Sequence, residues 1–178
     1  IPVHVLSSAI SKTIFAISTE ESRFTLNGAL LILKDKTLAM VSTDGHRLAF
    51  VETQTQLLGV KGSYRALLPR RAMGEILKLT QEAPADAVVQ FAGDDNHLFF
   101  RFGERLLISR KLTGNFPDFE RVLPREHLNQ VVLNREEFRA AIERVSQFSD
   151  ERSHAIRVRV CPGEVKVHSS LSETGESE

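Results

Sequence analysis

Leu67-Leu68-Pro69-Arg70-Arg71-Ala72-Met73-Gly74-Glu75-Ile76-Leu77-Lys78-Leu79-Thr80-Gln81 sets the pattern of this chain: a short apolar strand, a breaking residue, then an amphipathic helix. Met73, Ile76, Leu77 and Thr80 recur at helical spacing and share one face. Pro69 suits the first turn, where its missing N–H is not needed. The pattern returns twice. Val5-Leu6-Ser7 leads into a predicted helix over Ser8–Ser18, with Ile10, Ile14 and Ile17 on one face. Val132-Leu133-Asn134 leads into another over Arg135–Ser149, with Phe138, Ile142 and Val145. Ser7 and Asn134 are N-cap candidates, because their side-chain oxygens accept from otherwise unpaired amides. The intervals, 62 residues from Ser7 to Pro69 and 65 from Pro69 to Asn134, are too long for common solenoid units.

Strand-like runs follow each helix. They are Phe24–Leu33, Leu38–Ser42 and His46–Glu52 in the first unit, and Ala87–Phe91, Leu98–Phe102 and Arg105–Lys111 in the second. In the third unit, Ala155–Val160 and Glu164–His168 flank Pro162-Gly163, and a polar tail, Ser169–Glu178, follows. Lys34-Asp35-Lys36 and Thr43-Asp44-Gly45 read as turns. The unit is therefore β-α-β-β-β, twice in full and once in part, which predicts an α+β fold with helices on one side of antiparallel sheets. Thr113–Gln130, with Gly114, Pro117 and Pro124, reads as a connector between two domains, 1–124 and 125–178.

Composition narrows the function. Lys plus Arg equals Asp plus Glu, 23 each, so no basic arm grips nucleic acid by bulk charge. One basic face opposed by one acidic face stays open. The single cysteine, Cys161, forms no internal disulfide, and no Cys/His spacing suggests zinc. His4, His97, His127, His154 and His168 are scattered singly and read as surface residues rather than ligands. No apolar run reaches the roughly 18 residues of a membrane span, and no signal peptide opens the chain. It reads as a cytoplasmic protein cut from something longer. GxxxxGK[ST] and GxGxxG are absent, so no nucleotide or other cofactor is expected. Ser42, Asp44 and His46 are the types an acid–base enzyme uses, but they straddle a turn, and no oxyanion hole or metal set accompanies them. Strand alternation would send His46 and Leu48 to one side and Arg47 to the other.

Two stretches carry a family resemblance: Thr43-Asp44-Gly45-His46-Arg47-Leu48-Ala49, and Gly114-Asn115-Phe116-Pro117-Asp118-Phe119-Glu120-Arg121-Val122-Leu123-Pro124. With Leu26-Asn27-Gly28, and in this order within the repeat, they closely resemble the middle domain of the β subunit of bacterial DNA polymerase III, the sliding clamp. The similarity runs on into the opening of the third domain. It implies a DNA-clamp fold, in which duplicated units place helices around a central hole and sheets outside, and two chains close the ring as a homodimer. The implied role is a non-enzymatic processivity factor. Its implied partners are duplex DNA, bound without regard to sequence, and short peptides of polymerases, the clamp loader and repair proteins.

In the family those peptides enter a groove between the middle and third domains. The residues matching its middle-domain wall are Leu26, Thr43, Gly45, His46, Arg47, Leu48, Pro117, Arg121 and Val122. Leu48, Pro117 and Val122 supply an apolar slot, Gly45 permits close backbone approach, and Arg47 and Arg121 orient a polar peptide. The competing reading makes Leu26 and Val122 plain core and Pro117 a linker kink, and leaves His46 and Arg47 unexplained. The DNA-facing set is Lys12, Arg23, Arg70, Arg71 and Lys78, against one acid, Glu75, in the first two helices. Its competitor is simple solvation of amphipathic helices. A different class, a stand-alone DNA-binding or scaffolding module without a ring, is the alternative to the clamp as a whole.

Overall fold

A computed structural model of the chain describes residues 1–60, 62–84, 86–124, 126, 129–149, 155–171 and 175–177. His127 and His154 lie outside the described residues. Two compact units divide the chain, Ile1–Glu120 and Arg121–Glu178.

The first unit holds α1 (Val3–Ser11), β1 (Gly28–Lys34), β2 (Thr37–Thr43), β3 (Leu48–Gln54), β4 (Ser63–Pro69), α2 (Arg70–Gln81), β5 (Gln90–Gly93), β6 (His97–Phe102) and β7 (Arg105–Arg110). Helix α2 has the expected bounds, with Pro69 as its N-cap. The first helix does not. It begins at Val3 behind Pro2, so Val5-Leu6 is helix rather than strand and Ser7 is no cap. The cause is legible afterwards: Val3, Leu6 and Ile10, with Val5 and Ala9, already form a buried helical stripe. The helix stops at Ser11: the Thr13 amide turns to the Ile10 carbonyl, three residues back, while its wholly buried hydroxyl donates to the Ala9 carbonyl at 2.8 Å. A 3-10 turn at Ile14–Ala16 follows. Another, Phe24–Leu26, stands where the start of the first strand was expected.

All sheet pairing is antiparallel, in the orders β3-β2-β1-β4 and β5-β6-β7. The repeat units exchange their first segments. Strand β4, which leads into α2, pairs with β1 of the other repeat. Pro2, which leads into α1, bridges Val88 just before β5, and Val3 N–H donates to the Ala87 carbonyl at 2.9 Å. This reciprocal pairing is what a pseudo-twofold between the repeats requires. The two helices and the inner faces of both sheets share one core, in which Leu6, Ile10, Leu31, Met40, Leu68, Met73, Ile76, Leu98 and Phe100 are fully buried.

The other face of the first sheet is apolar too. Leu30 and Val41 are cross-strand partners, as are Leu30 and Leu67, and Val41 and Phe50. Leu30, Val41 and Leu67 are buried. The segment leaving β7 lies over this row. Leu112 N–H donates to the Leu67 carbonyl, and Phe116 lines a groove of about 420 Å³ with Leu30, Leu67 and Leu112. Phe119 stacks on Phe50 at 5.8 Å between centroids. Gly28 has no room for a side chain here, since a Cβ would meet the Leu68 carbonyl oxygen at 2.2 Å and a Leu112 methyl at 2.7 Å.

The second unit contains α3 (Arg135–Ser146), β8 (Arg157–Cys161), β9 (Glu164–Leu171) and β10 (Gly175–Ser177). Asn134 caps α3, its side chain accepting from the amides of Glu136 and Glu137. The helix ends at Ser146 rather than Ser149, because Phe148 and Ser149 close tight turns back onto Val145 and Ser146. The described residues of the expected polar tail are strand: β9 runs through Leu171 and pairs with β10. Backbone pairing makes a strand there in spite of polar side chains.

Candidate functional site

The Thr43–Leu48 turn is built by Asp44. One carboxylate oxygen accepts from the amides of His46 and Arg47, both at 3.0 Å, and the other from Arg47 Nε at 3.0 Å. These amide bonds, that of Arg47 first, lower the Asp44 pKa to about 2. Thr43 Oγ1 accepts from Gly45 N–H and donates to the Arg47 carbonyl at 2.7 Å. Gly45 has φ of 91°, a region that favours glycine. Strand alternation therefore begins only at Leu48. His46 and Arg47 are turn residues, both exposed, and the expected opposition of their side chains does not apply. Leu48 is half-buried. The Arg47 guanidinium lies 5.7 Å from the centre of the exposed Phe15 ring.

Ser42 and Asp44 are committed to this scaffold. The buried Ser42 hydroxyl donates to the Thr13 carbonyl at 2.5 Å, and the Asp44 carboxylate is occupied as described.

Arg23 belongs to the same place. Its guanidinium donates to the Asp44 carbonyl at 3.0 Å and pairs with Glu20 at 2.8 Å. A Cβ on Gly45 would stand 2.9 Å from it. The sequence grouped Arg23 with the helix cations, whereas the fold puts its head on the turn. Leu26, buried, ends the 3-10 turn that Arg23 introduces. Gly114, with φ of 104°, passes so near Thr25 that a Cβ would meet its methyl at 2.5 Å.

Pro117 is exposed and lies two residues from Phe119. Since Phe119 stacks on Phe50, two residues beyond Leu48, the distant motifs meet at the β3 edge of the first sheet. The sequence reading assigned no role to Phe50, Phe119 or Phe15. Both Phe116 and Phe119 stood within the quoted motif, but nothing local named their partners. Arg121 and Val122 lie in the second unit and are exposed.

Of the helix cations, Lys12 caps the end of α1 and is exposed. Arg70 and Arg71 open α2, both exposed, and Lys78 pairs with Glu75 at 2.9 Å. Arg71, Glu75 and Lys78 follow i, i+4, i+7 spacing on the side of α2 opposite its buried residues. Among the described residues no group of three or more His, Cys, Asp or Glu side chains is arranged to hold a metal, and no helix is long and apolar enough to cross a membrane.

Comparison with known proteins agrees along the whole chain. Residues 1–118 match the family model of the DNA polymerase III beta subunit, central domain, and residues 120–178 that of its C-terminal domain. The beta sliding clamp of Chlamydia muridarum is 33% identical over 172 residues, covering 96% of this chain and 46% of the relative. That of Pseudomonas aeruginosa is 34% identical over 173 residues, covering 97% and 46%. The chain thus spans about half the length of the curated relatives it matches. A crystal structure of the DNA polymerase III subunit beta from Pseudomonas aeruginosa superposes with a TM-score of 0.91 at 32% identity, covering 99% of this chain and 48% of that one. A sliding clamp from the same organism bound to griselimycin gives 0.91 at 33%, covering 99% and 47%.

Proposed function

The chain belongs to the DNA polymerase III beta-subunit family, and from that premise we propose that it is a segment of a sliding clamp, docking partner peptides at the Thr43–Leu48 turn and facing duplex DNA with its first two helices. In this reading residues 1–124 are the middle domain and 125–178 the opening of the third. The full-length parent is a ring-forming homodimer in the cytoplasm. The segment catalyses nothing and needs no cofactor.

The observation that carries the docking reading is the meeting of the two motifs. A rigid turn presents His46 and Arg47 beside half-buried Leu48, and the Phe50–Phe119 stack brings Pro117 to that edge. Leu48 and Pro117 then supply apolar anchors, Gly45 leaves room for a backbone, and Arg47 offers a donor fork. Thr43 braces the turn through its hydroxyl, and buried Leu26 completes the apolar part of the set. Arg121 and Val122, which match the same wall in the family, are both exposed. Short peptides from polymerases, the clamp loader and repair proteins are the ligands.

Lys12, Arg70, Arg71 and Lys78 form the DNA-facing set. Non-specific attraction to phosphates suits sliding, because it does not depend on which bases pass. Arg23, whose guanidinium is shared with the Asp44 carbonyl and Glu20, joins that set from the docking turn.

Isothermal titration with a leucine- and phenylalanine-containing clamp-motif peptide tests the docking reading. Leu48→Glu should weaken binding by on the order of 2 kcal/mol, as expected for an anchoring residue. Wild-type affinity in a folded Leu48→Glu protein would refute the assignment.

A further inference from the structure

The segment after β7 crosses the outer face of the first sheet along one cross-strand row. Leu67, Leu30, Val41 and Phe50 stand side by side on neighbouring strands. Phe116 sits with Leu67 and Leu30 at one end of the row. Phe119, only 4% exposed, sits on Phe50 at the other. The lengths agree: three extended residues reach about 10 Å, and two strand spacings, from Leu30 to Phe50, are also about 10 Å. Pro117 is thus suspended between two aromatic anchors, and its fixed φ leaves little slack.

Resting on the docking reading above, we propose that Phe119 is a positioning residue of the docking surface: stacked on Phe50, it fixes where Pro117 stands relative to Leu48. Phe119 is too buried to be a peptide contact itself. Its ring planes lie within 28° of those of Phe50, an offset stack that resists sliding of the segment along the sheet. Leucine in its place keeps an apolar contact but loses that restraint. Pro117 then samples positions away from Leu48, and the peptide must order the segment as it binds.

A double-mutant cycle by peptide titration on the full chain tests this. Phe119→Leu should weaken the peptide about three- to tenfold, the range for losing an aromatic pair. Phe119→Tyr, which keeps the ring, should restore most of the affinity. Pro117→Ala should weaken binding in the wild type yet add little once Phe119 is leucine, because an unplaced Pro117 contributes little to lose. Independent, multiplying losses, or an unchanged affinity in folded Phe119→Leu, would overturn the inference while leaving docking intact. If Phe119→Leu does not fold, Phe50→Leu removes the other ring from a more exposed site, 36%, and is read the same way. A wild-type chain that binds no peptide would overturn the docking reading, and the inference with it.

Discussion

Asp44 builds its turn with charge as well as shape. Its carboxylate holds the amides of Arg47 and His46 only while ionised, which is why its pKa falls from 3.8 to about 2. A depressed carboxylate pKa stabilises the folded turn above the unfolded value, and that contribution disappears as pH falls through the folded one. The turn should therefore stay ordered at pH 4 and loosen between about pH 4 and pH 2. The amide shifts of His46 and Arg47, followed by NMR, should titrate together with a midpoint near 2. A midpoint at the ordinary carboxylate value would show that the carboxylate does not hold these amides in solution. The same residue explains why Asp-Gly here is more than a generic turn: Gly45 supplies the positive φ, and Asp44 aims the next two residues outward.

Helix starts show how alike two cap candidates look from the sequence and how differently they function. Asn134 accepts from Glu136 N–H at 2.9 Å and Glu137 N–H at 3.2 Å. Asn134→Ala should lower the stability of the second unit by about 1 kcal/mol. Ser7, equally plausible as a cap, lies inside α1 and caps nothing. Ser7→Ala should change stability by less than about 0.5 kcal/mol, as an interior helical site without a cap bond does. Chemical denaturation of both variants decides it, and a loss at Ser7 equal to that at Asn134 would contradict the assigned start of α1. Pro2 explains the difference, since its extended backbone bridges Val88 and releases the chain into a helix one residue later.

Across the whole molecule, burial is unevenly shared. The largest fully buried side chains, from Leu6 to Phe100, all belong to the first unit. In the second, the buried apolar residues among those described are Val145 and Val167. Local opening free energy follows such differences in buried contact. Hydrogen exchange should therefore be slowest in β1, β2 and β4 and clearly faster throughout α3, β8 and β9. Equal protection of the two units would mean that the second draws stability from a source its own burial does not explain.

Much of this was legible in the residues. The repeat of a helix followed by antiparallel strands, the bounds of α2 and the hairpins follow from periodicity and turn chemistry, signals that act over a few neighbouring positions. The leading strands expected at Val5-Leu6 and Val132-Leu133 did not form. The family is read from the resemblance of the two quoted motifs. The sequence also marked both stretches, Thr43–Ala49 and Gly114–Pro124, that the Phe50–Phe119 stack draws toward the β3 edge. The partners were not legible. That Pro2 meets Val88, that β4 pairs with β1 of the other repeat, that Arg23 rests on the Asp44 carbonyl, and that Phe119 finds Phe50 were decided by tertiary structure. Each joins residues remote along the chain. A phenylalanine reads the same whatever it will stack on, and only closing both sheets around one core decides which ring lies beneath it.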